Sequence, residues 1–192
     1  MHTLIFATNN RNKVAEIQSL VGPNFTIIPL KEAGIDIDIP EPHDQLEANA
    51  LEKALTIFKM TNQACFSEDT GLEIAALDGA PGVKSARYAG ENSNAQANID
   101  LVLSKMTGIE NRAAQFRTVI CLIWKNQTYY FEGICKGQIL TTMQGENGFG
   151  YDPIFVPDGA SKSFANMTMD EKNQFSHRKK AVTQLFEFLG TL

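Results

Sequence analysis

Cysteine is scarce in this chain, with three residues in 192, and the three show no C-x-x-C spacing. Cys65, Cys121 and Cys135 are odd in number and lie in or beside apolar, strand-like runs. That usage disfavours a disulfide scaffold and a structural zinc site, and it reads as reduced core thiols of a reducing compartment. Long apolar runs are missing too. No segment approaches the length of a membrane span, and the N-terminal apolar run breaks at Thr8, Asn9 and Asn10, too early for a secretion signal. The expected location is cytoplasmic, with no membrane partner. An excess of positive charge is also absent. With 22 acidic and 17 basic residues the net charge is −5, so the chain is not a general binder of nucleic acid, and an anionic ligand must meet a local basic cluster. The P-loop pattern G-x-x-x-x-G-K-[ST] does not occur, which removes ordinary NTPase machinery. No serine or cysteine nucleophile motif accompanies His177, and no internal repeat or low-complexity linker divides the chain.

What is present suits one compact domain, residues 1–192, with room for two lobes: 43% hydrophobic and 20% charged residues are ordinary for a soluble globular protein. Thr3 to Ala7 reads as a buried strand, followed by a polar turn and a helix with Val14, Ile17, Leu20 and Val21 on one face. Asp44 with Glu47 forms a capping-box pattern ahead of Leu46, Ala50, Ala54, Ile57 and Phe58, which predicts a second helix with Glu41 just outside its N-terminus. Ala64 to Phe66 reads as a strand end, Ser67 to Leu72 as an acidic turn, and Leu72, Ile74 and Ala76 as a second strand. Asn92 to Met106 reads as a helix. Ala113 to Trp124, the break at 125–127 and Thr128 to Ile134 read as an antiparallel hairpin. Thr168 and Glu171 cap a last helical segment whose apolar face is Ala181, Leu185 and Phe188, and Ser176 is placed to start a separate final helix. Helices alternating with strands and one hairpin predict a mixed α/β sheet.

The chemistry gathers in four clusters. The stretch from Gly145 to Phe155 sets three glycines beside Phe149, Tyr151 and Asp152, ahead of the rigid Pro153. Its bland reading is a tight loop entering a strand, and its functional reading is a backbone brought close to a ligand, with flat faces and an acceptor beside it. Thr8, Asn9, Asn10, Arg11, Asn12 and Lys13 join a strand to a helix, where unpaired backbone N–H groups and the helix dipole suit phosphate oxygens; the alternative is an ordinary N-capped helix. Glu68, Asp69 and Thr70 form an acidic turn that, with Glu41, offers hard oxygen ligands of the kind Mg²⁺ takes together with phosphates, or else a solvated surface turn. Lys172 with Ser176, His177 and Arg178 supplies cations for phosphate or donors for a base edge, and Lys53 on the second helix adds another positive charge or a solvated face.

In this order, Thr8-Asn9-x-x-x-Lys13, Asn49-Ala50-x-x-Lys53-Ala54, Glu68-Asp69-Thr70-Gly71-Leu72, Pro81-Gly82-Val83-x-Ser85-Ala86-Arg87-Tyr88-Ala89-Gly90, Gly148 to Pro153 and Ser176-His177-Arg178 resemble the inosine triphosphate pyrophosphatase family, also called dITP/XTP pyrophosphatases. The resemblance implies an elongated mixed-sheet α/β fold with flanking helices and two lobes around a central nucleotide cleft. It also implies a homodimer that uses Mg²⁺ to hydrolyse ITP, dITP and XTP to the monophosphate and pyrophosphate. By position, Thr8 to Lys13 bind the triphosphate, Asp69 is proton acceptor and metal ligand, Glu41 shares the metal, and Thr70 contacts substrate. Phe149, Gly150, Tyr151 and Asp152 match the base-binding loop, and Lys172, His177 and Arg178 the remaining substrate contacts. The chain departs from the family pattern at Asn9, where Gly is usual, at Glu68, where Asp is usual and a metal role is less secure, and at Ala48, where an acid is usual.

From this resemblance, Lys13 and Lys172 are expected to stabilise the leaving pyrophosphate. Arg178, a donor without acceptors, is expected to favour a 6-keto purine over adenine, while Phe149 stacks on any purine. Two rivals remain at this level: a Maf-type pyrophosphatase with another base preference, and a nucleotide-binding module that hydrolyses nothing.

Overall fold

The computed structural model describes residues 2–92 and 94–191. Strands β1 (His2–Phe6), β2 (Phe25–Pro29), β3 (Cys65–Ile74), β4 (Pro81–Gly82), β5 (Ala113–Trp124), β6 (Gln127–Ile139) and β7 (Phe155–Pro157) hydrogen-bond in the order β2-β1-β3-β5-β6-β7, with β4 on β3. Helices α1 (Arg11–Gln18), α2 (Leu46–Thr61), α3 (Ala95–Lys105), α4 (Met169–Phe175) and α5 (His177–Gly190) flank them. β1 is parallel to β2 and β3, whereas β4 and β7 pair antiparallel, so the sheet is mixed, as the alternation of patterns predicts. The chain folds as two compact units.

The first unit runs to Asp69 and adds Thr118–Gly133 and the chain from Arg178 on. Its core packs Leu4, Phe6, Ile17, Phe66, Ile120, Leu122, Ala181 and Leu185, with the Phe6 and Phe66 rings stacked at 4.5 Å. α1 stops at Gln18, so Leu20 and Val21 lie beyond the helix, yet they still pack against this core. Lys125 and Asn126 turn β5 into β6 with φ of 49° and 62°, the two-residue left-handed geometry whose twist matches a hairpin.

The second unit comprises Thr70–Arg117 and Ile134–His177. Its core gathers Leu72, Ile74, Ile99, Val102, Phe116, Ile154, Phe155 and Phe164. Thr168 and Glu171 cap α4 reciprocally, as their spacing predicts. Cys65, Cys121 and Cys135 are buried thiols outside any disulfide, in keeping with core thiols.

Three local expectations are corrected. The acidic stretch is no turn: β3 runs unbroken from Cys65 to Ile74, and Ala76 falls in a short 3₁₀ turn after it. β3 lies between β1 and β5 in the sheet, with β4 also paired to it, and this placement overrides the turn preference of Ser, Asp and Gly. Asp44 does not cap α2, whose N-cap is Gln45 without a side-chain bond. The helix read from Asn92 begins at Ala95, because Asn94 accepts the Ala97 N–H.

Candidate active site

Strand geometry separates the two neighbouring acids. Successive side chains on a strand point to opposite faces, and β3 obeys this in the first unit: Cys65 and Ser67 donate to carbonyls of α2, whereas Phe66 joins the core that contains Ile17 of α1 and Ala181 of α5. Asp69 therefore faces α2 and Glu68 faces α1 and α5. Asp69 pairs with Lys53, and Glu68 with Lys13 and Arg178.

On the α2 face, Asp69 is 6% exposed. Lys53 Nζ donates to Asp69 Oδ1 at 3.0 Å and also to Glu41 Oε1. Asn49 fixes the approach of Glu41: its Oδ1 accepts the His43 N–H at 2.9 Å and its Nδ2 donates to the His43 carbonyl at 3.0 Å. The same amide nitrogen lies 3.5 Å from Asp69 Oδ2. Burial raises the Asp69 pKa, Lys53 and Lys13 oppose that, and Glu41 adds to it; the net shift is upward. Burial disfavours the Lys53 ammonium, but Asp69 and Glu41 overcome it and raise its pKa. The result is a charged trio, with Lys53 and Asp69 buried and Glu41 half-buried, and a carboxylate of enhanced basicity.

On the other face, Glu68 is fully enclosed. Arg178 Nε donates to its oxygens at 2.8 and 3.0 Å, Lys13 Nζ lies at 3.1 Å, and Arg178 Nη1 donates to Glu16. Burial would raise the Glu68 pKa, yet Arg178 and Lys13 bring it down to about 2. Glu68, considered from sequence as a possible metal ligand, thus sits in a buried ion-pair cluster with Lys13 and Arg178. Nε and Nη1 of Arg178 are engaged on the carboxylates of Glu68 and Glu16, so this guanidinium is held in a buried ion-pair cluster.

The phosphate turn is more fully capped than its sequence suggests. Asn10 is the N-cap of α1, and its side chain accepts from Asn12 N and Lys13 N at 3.0 and 3.2 Å, while Thr8 Oγ1 accepts from Asn10 N at 3.2 Å. Two first-turn donors expected for phosphate are thus occupied. Asn9 is not among the described residues with positive φ; its Nδ2 instead donates to the Ile37 carbonyl at 2.8 Å. Arg11 and Asn12 are exposed and Lys13 is half-buried.

In the second unit, Thr70 is half-buried on β3. Phe149 is half-buried, and its N–H donates to Asp152 Oδ2 at 2.9 Å. Tyr151 does not present a face to a ligand as expected: its ring lies in the apolar core and its hydroxyl donates to the Ser85 carbonyl at 2.8 Å. Lys172 Nζ is 2.7 Å from Asp152 Oδ2, and His177 is buried against Phe116 with ring centroids 4.7 Å apart. Gly148 has φ +77°, and a Cβ there would overlap the Asp152 carboxylate; Gly150 has φ +61°.

Sequence reasoning missed Glu16 and Phe164 and gave no role to Asn49, although Asn49 opens one of the motifs of the resemblance. Glu16 stands three residues after Lys13, the spacing that puts both on one helix face. Asn49 precedes Lys53 by four. Phe164 had no local signal, since only folding brings it beside Lys172.

Comparison with known proteins adds a global observation. The Ham1 family model matches residues 4–188. The chain is 48% identical to a dITP/XTP pyrophosphatase of Flavobacterium johnsoniae, covering 97% of both chains. It is 49% identical to the dITP/XTP pyrophosphatase of Porphyromonas gingivalis over 98% of both. Among solved structures it is similar to a HAM1 protein from Coxiella burnetii, with a TM-score of 0.91, 35% identity and 100% coverage of each chain. The Staphylococcus aureus Ham1 protein superposes with a TM-score of 0.89 at 37% identity, covering 98% of both.

Proposed function

Because the chain belongs to the Ham1 family, we infer that it is a nucleoside triphosphate pyrophosphatase that hydrolyses non-standard purine nucleoside triphosphates, dITP and XTP among them, to the monophosphate and pyrophosphate. The observation that carries the chemistry is Asp69, a buried carboxylate of raised pKa held by Lys53 and neighboured by Glu41. Such a group accepts a proton better than an exposed aspartate.

Asp69 takes a proton from a water that attacks phosphorus. The new P–O bond forms as the bond to the bridging oxygen breaks, and that oxygen leaves with pyrophosphate. By the family resemblance the attack is at the α-phosphorus. Lys53 keeps Asp69 oriented, and Lys13 supplies positive charge to the phosphates. No covalent nucleophile is needed. Phe149 stacks on the purine.

Glu41 and Asp69 fit a divalent cation. Their carboxylates converge on one positive group, the Lys53 ammonium, and two hard carboxylates completed by phosphate oxygens and water suit Mg²⁺. Among the described residues no cluster of three or more His, Cys, Asp or Glu forms a protein-only cage. When bound, Mg²⁺ offsets phosphate charge and polarises the phosphoryl oxygens. By the family resemblance the protein acts as a homodimer, and its buried thiols suit a reducing, cytoplasmic setting. No described helix is long and apolar enough to cross a membrane.

Pyrophosphate release from a panel of nucleoside triphosphates with Mg²⁺ tests this reading. ITP, dITP and XTP are expected to exceed ATP, UTP and dTTP in kcat/KM. A preference for UTP or dTTP would instead indicate Maf-type activity, and binding without turnover a non-catalytic module.

A further inference from the structure

We propose that Lys172 is a positioning residue that acts on the purine through Phe149, and that it is not a phosphate contact. The inference rests on the reading of the protein as a purine nucleotide pyrophosphatase, and it departs from the leaving-group role expected of this lysine.

Lys172 lies on α4 and is 4% exposed. Its ammonium is 2.7 Å from Asp152 Oδ2, and that same oxygen accepts the Phe149 N–H at 2.9 Å. One carboxylate oxygen thus joins the cation to the backbone of the stacking residue. The ammonium also lies 5.2 Å from the ring centroid of Phe149 and 5.2 Å from that of Phe164, within the range of cation–π attraction. Asp152 is itself 3% exposed. Turning Lys172 toward a phosphate would break this buried ion pair, a cost that an exposed lysine does not meet.

The loop needs such a clamp. Gly148 and Gly150 flank Phe149 with φ of +77° and +61°, and glycine's conformational freedom makes an aromatic between two of them poorly ordered unless something holds it. Gly148 leaves the room that the Asp152 carboxylate occupies. The ammonium covers one face of the Phe149 ring, so a base stacks on the other. Lys172 therefore pre-organises the ring, and its removal should appear as weaker nucleotide binding.

A double-mutant cycle decides between the two roles. Wild type, Lys172→Met, Phe149→Ala and the double variant are compared for ITP hydrolysis and, by calorimetry without Mg²⁺, for ITP affinity. Lys172→Met and Phe149→Ala are each expected to lower kcat/KM by about tenfold or more, mainly through KM. The double variant is expected to lie within about threefold of Phe149→Ala, and Lys172→Arg to recover most of the loss because it keeps the cation. Losses that multiply in the double variant, or a Lys172→Met enzyme that is unaltered, would overturn the proposal. If Lys172→Met does not fold, Asp152→Asn replaces it in the same cycle with the same two outcomes. A wild-type protein that binds ITP but releases no pyrophosphate would overturn the pyrophosphatase reading alone, because the affinity cycle still decides the role of Lys172.

Discussion

Burial beside Glu41 leaves Asp69 more basic than an exposed aspartate, and Lys53 holds it in place. Asp69→Asn keeps the shape and removes the proton acceptor, so turnover of ITP at saturating Mg²⁺ should fall at least ~10²-fold while the circular dichroism spectrum is retained. Near-normal turnover would show that another group takes the proton. Glu68→Gln belongs to a different class of defect. It leaves Arg178 and Lys13 facing a neutral amide in a buried setting, and removing one partner of a buried pair costs about 3 kcal/mol or more. Denaturant unfolding should show that loss. The pH dependence follows from the same contacts. The folded pKa of Glu68 is depressed from 4.5 to about 2, so the unfolded chain binds the proton more readily. The stabilisation is fully present above pH 4.5 and is lost as pH falls through about 2. Over that window the stability of Glu68→Gln should change less with pH than that of wild type; equal slopes would show that the carboxylate is not held as described.

At the scale of elements, the reciprocal cap on α4 is testable because α4 carries Lys172. Thr168 Oγ1 accepts the Glu171 N–H at 3.2 Å and Glu171 Oε2 accepts the Thr168 N–H at 2.9 Å. Thr168→Ala should cost about 1 kcal/mol of stability and raise KM for ITP more than it lowers kcat; an unchanged KM would uncouple the cap from the base loop. This cap was legible in sequence, as was the hairpin, since both rest on residues a few positions apart. The acidic stretch was not. Ser67, Asp69 and Gly71 carry turn propensities, and what makes them strand is the place of β3 between β1 and β5 in the sheet, which no local window contains. The misread cap of α2 has a similar cause. Asn49, inside the helix, ties down the segment before it, and Asp44 is exposed.

For the whole molecule, neither compact unit is a continuous stretch of chain, and residues 1–192 are proposed to work as one pyrophosphatase domain. The proposed homodimer is checked by light scattering at micromolar protein: a mass near twice 21.2 kDa is expected, and a monomer there would remove the assembly claim without touching the catalytic one. The sequence by itself determined the mixed α/β class, the reduced cysteines and the ordered motifs of the family, because composition, periodicity and short-range spacing are local properties. Tertiary structure alone decided that Glu68 and Asp69 serve opposite faces of one strand, that Arg178 is paired with Glu68 and Glu16, and that Tyr151 is core. The physical reason is that a charge's role is set by its burial and its partners. Arg178 and Glu16 stand 162 positions apart, and folding alone makes them neighbours.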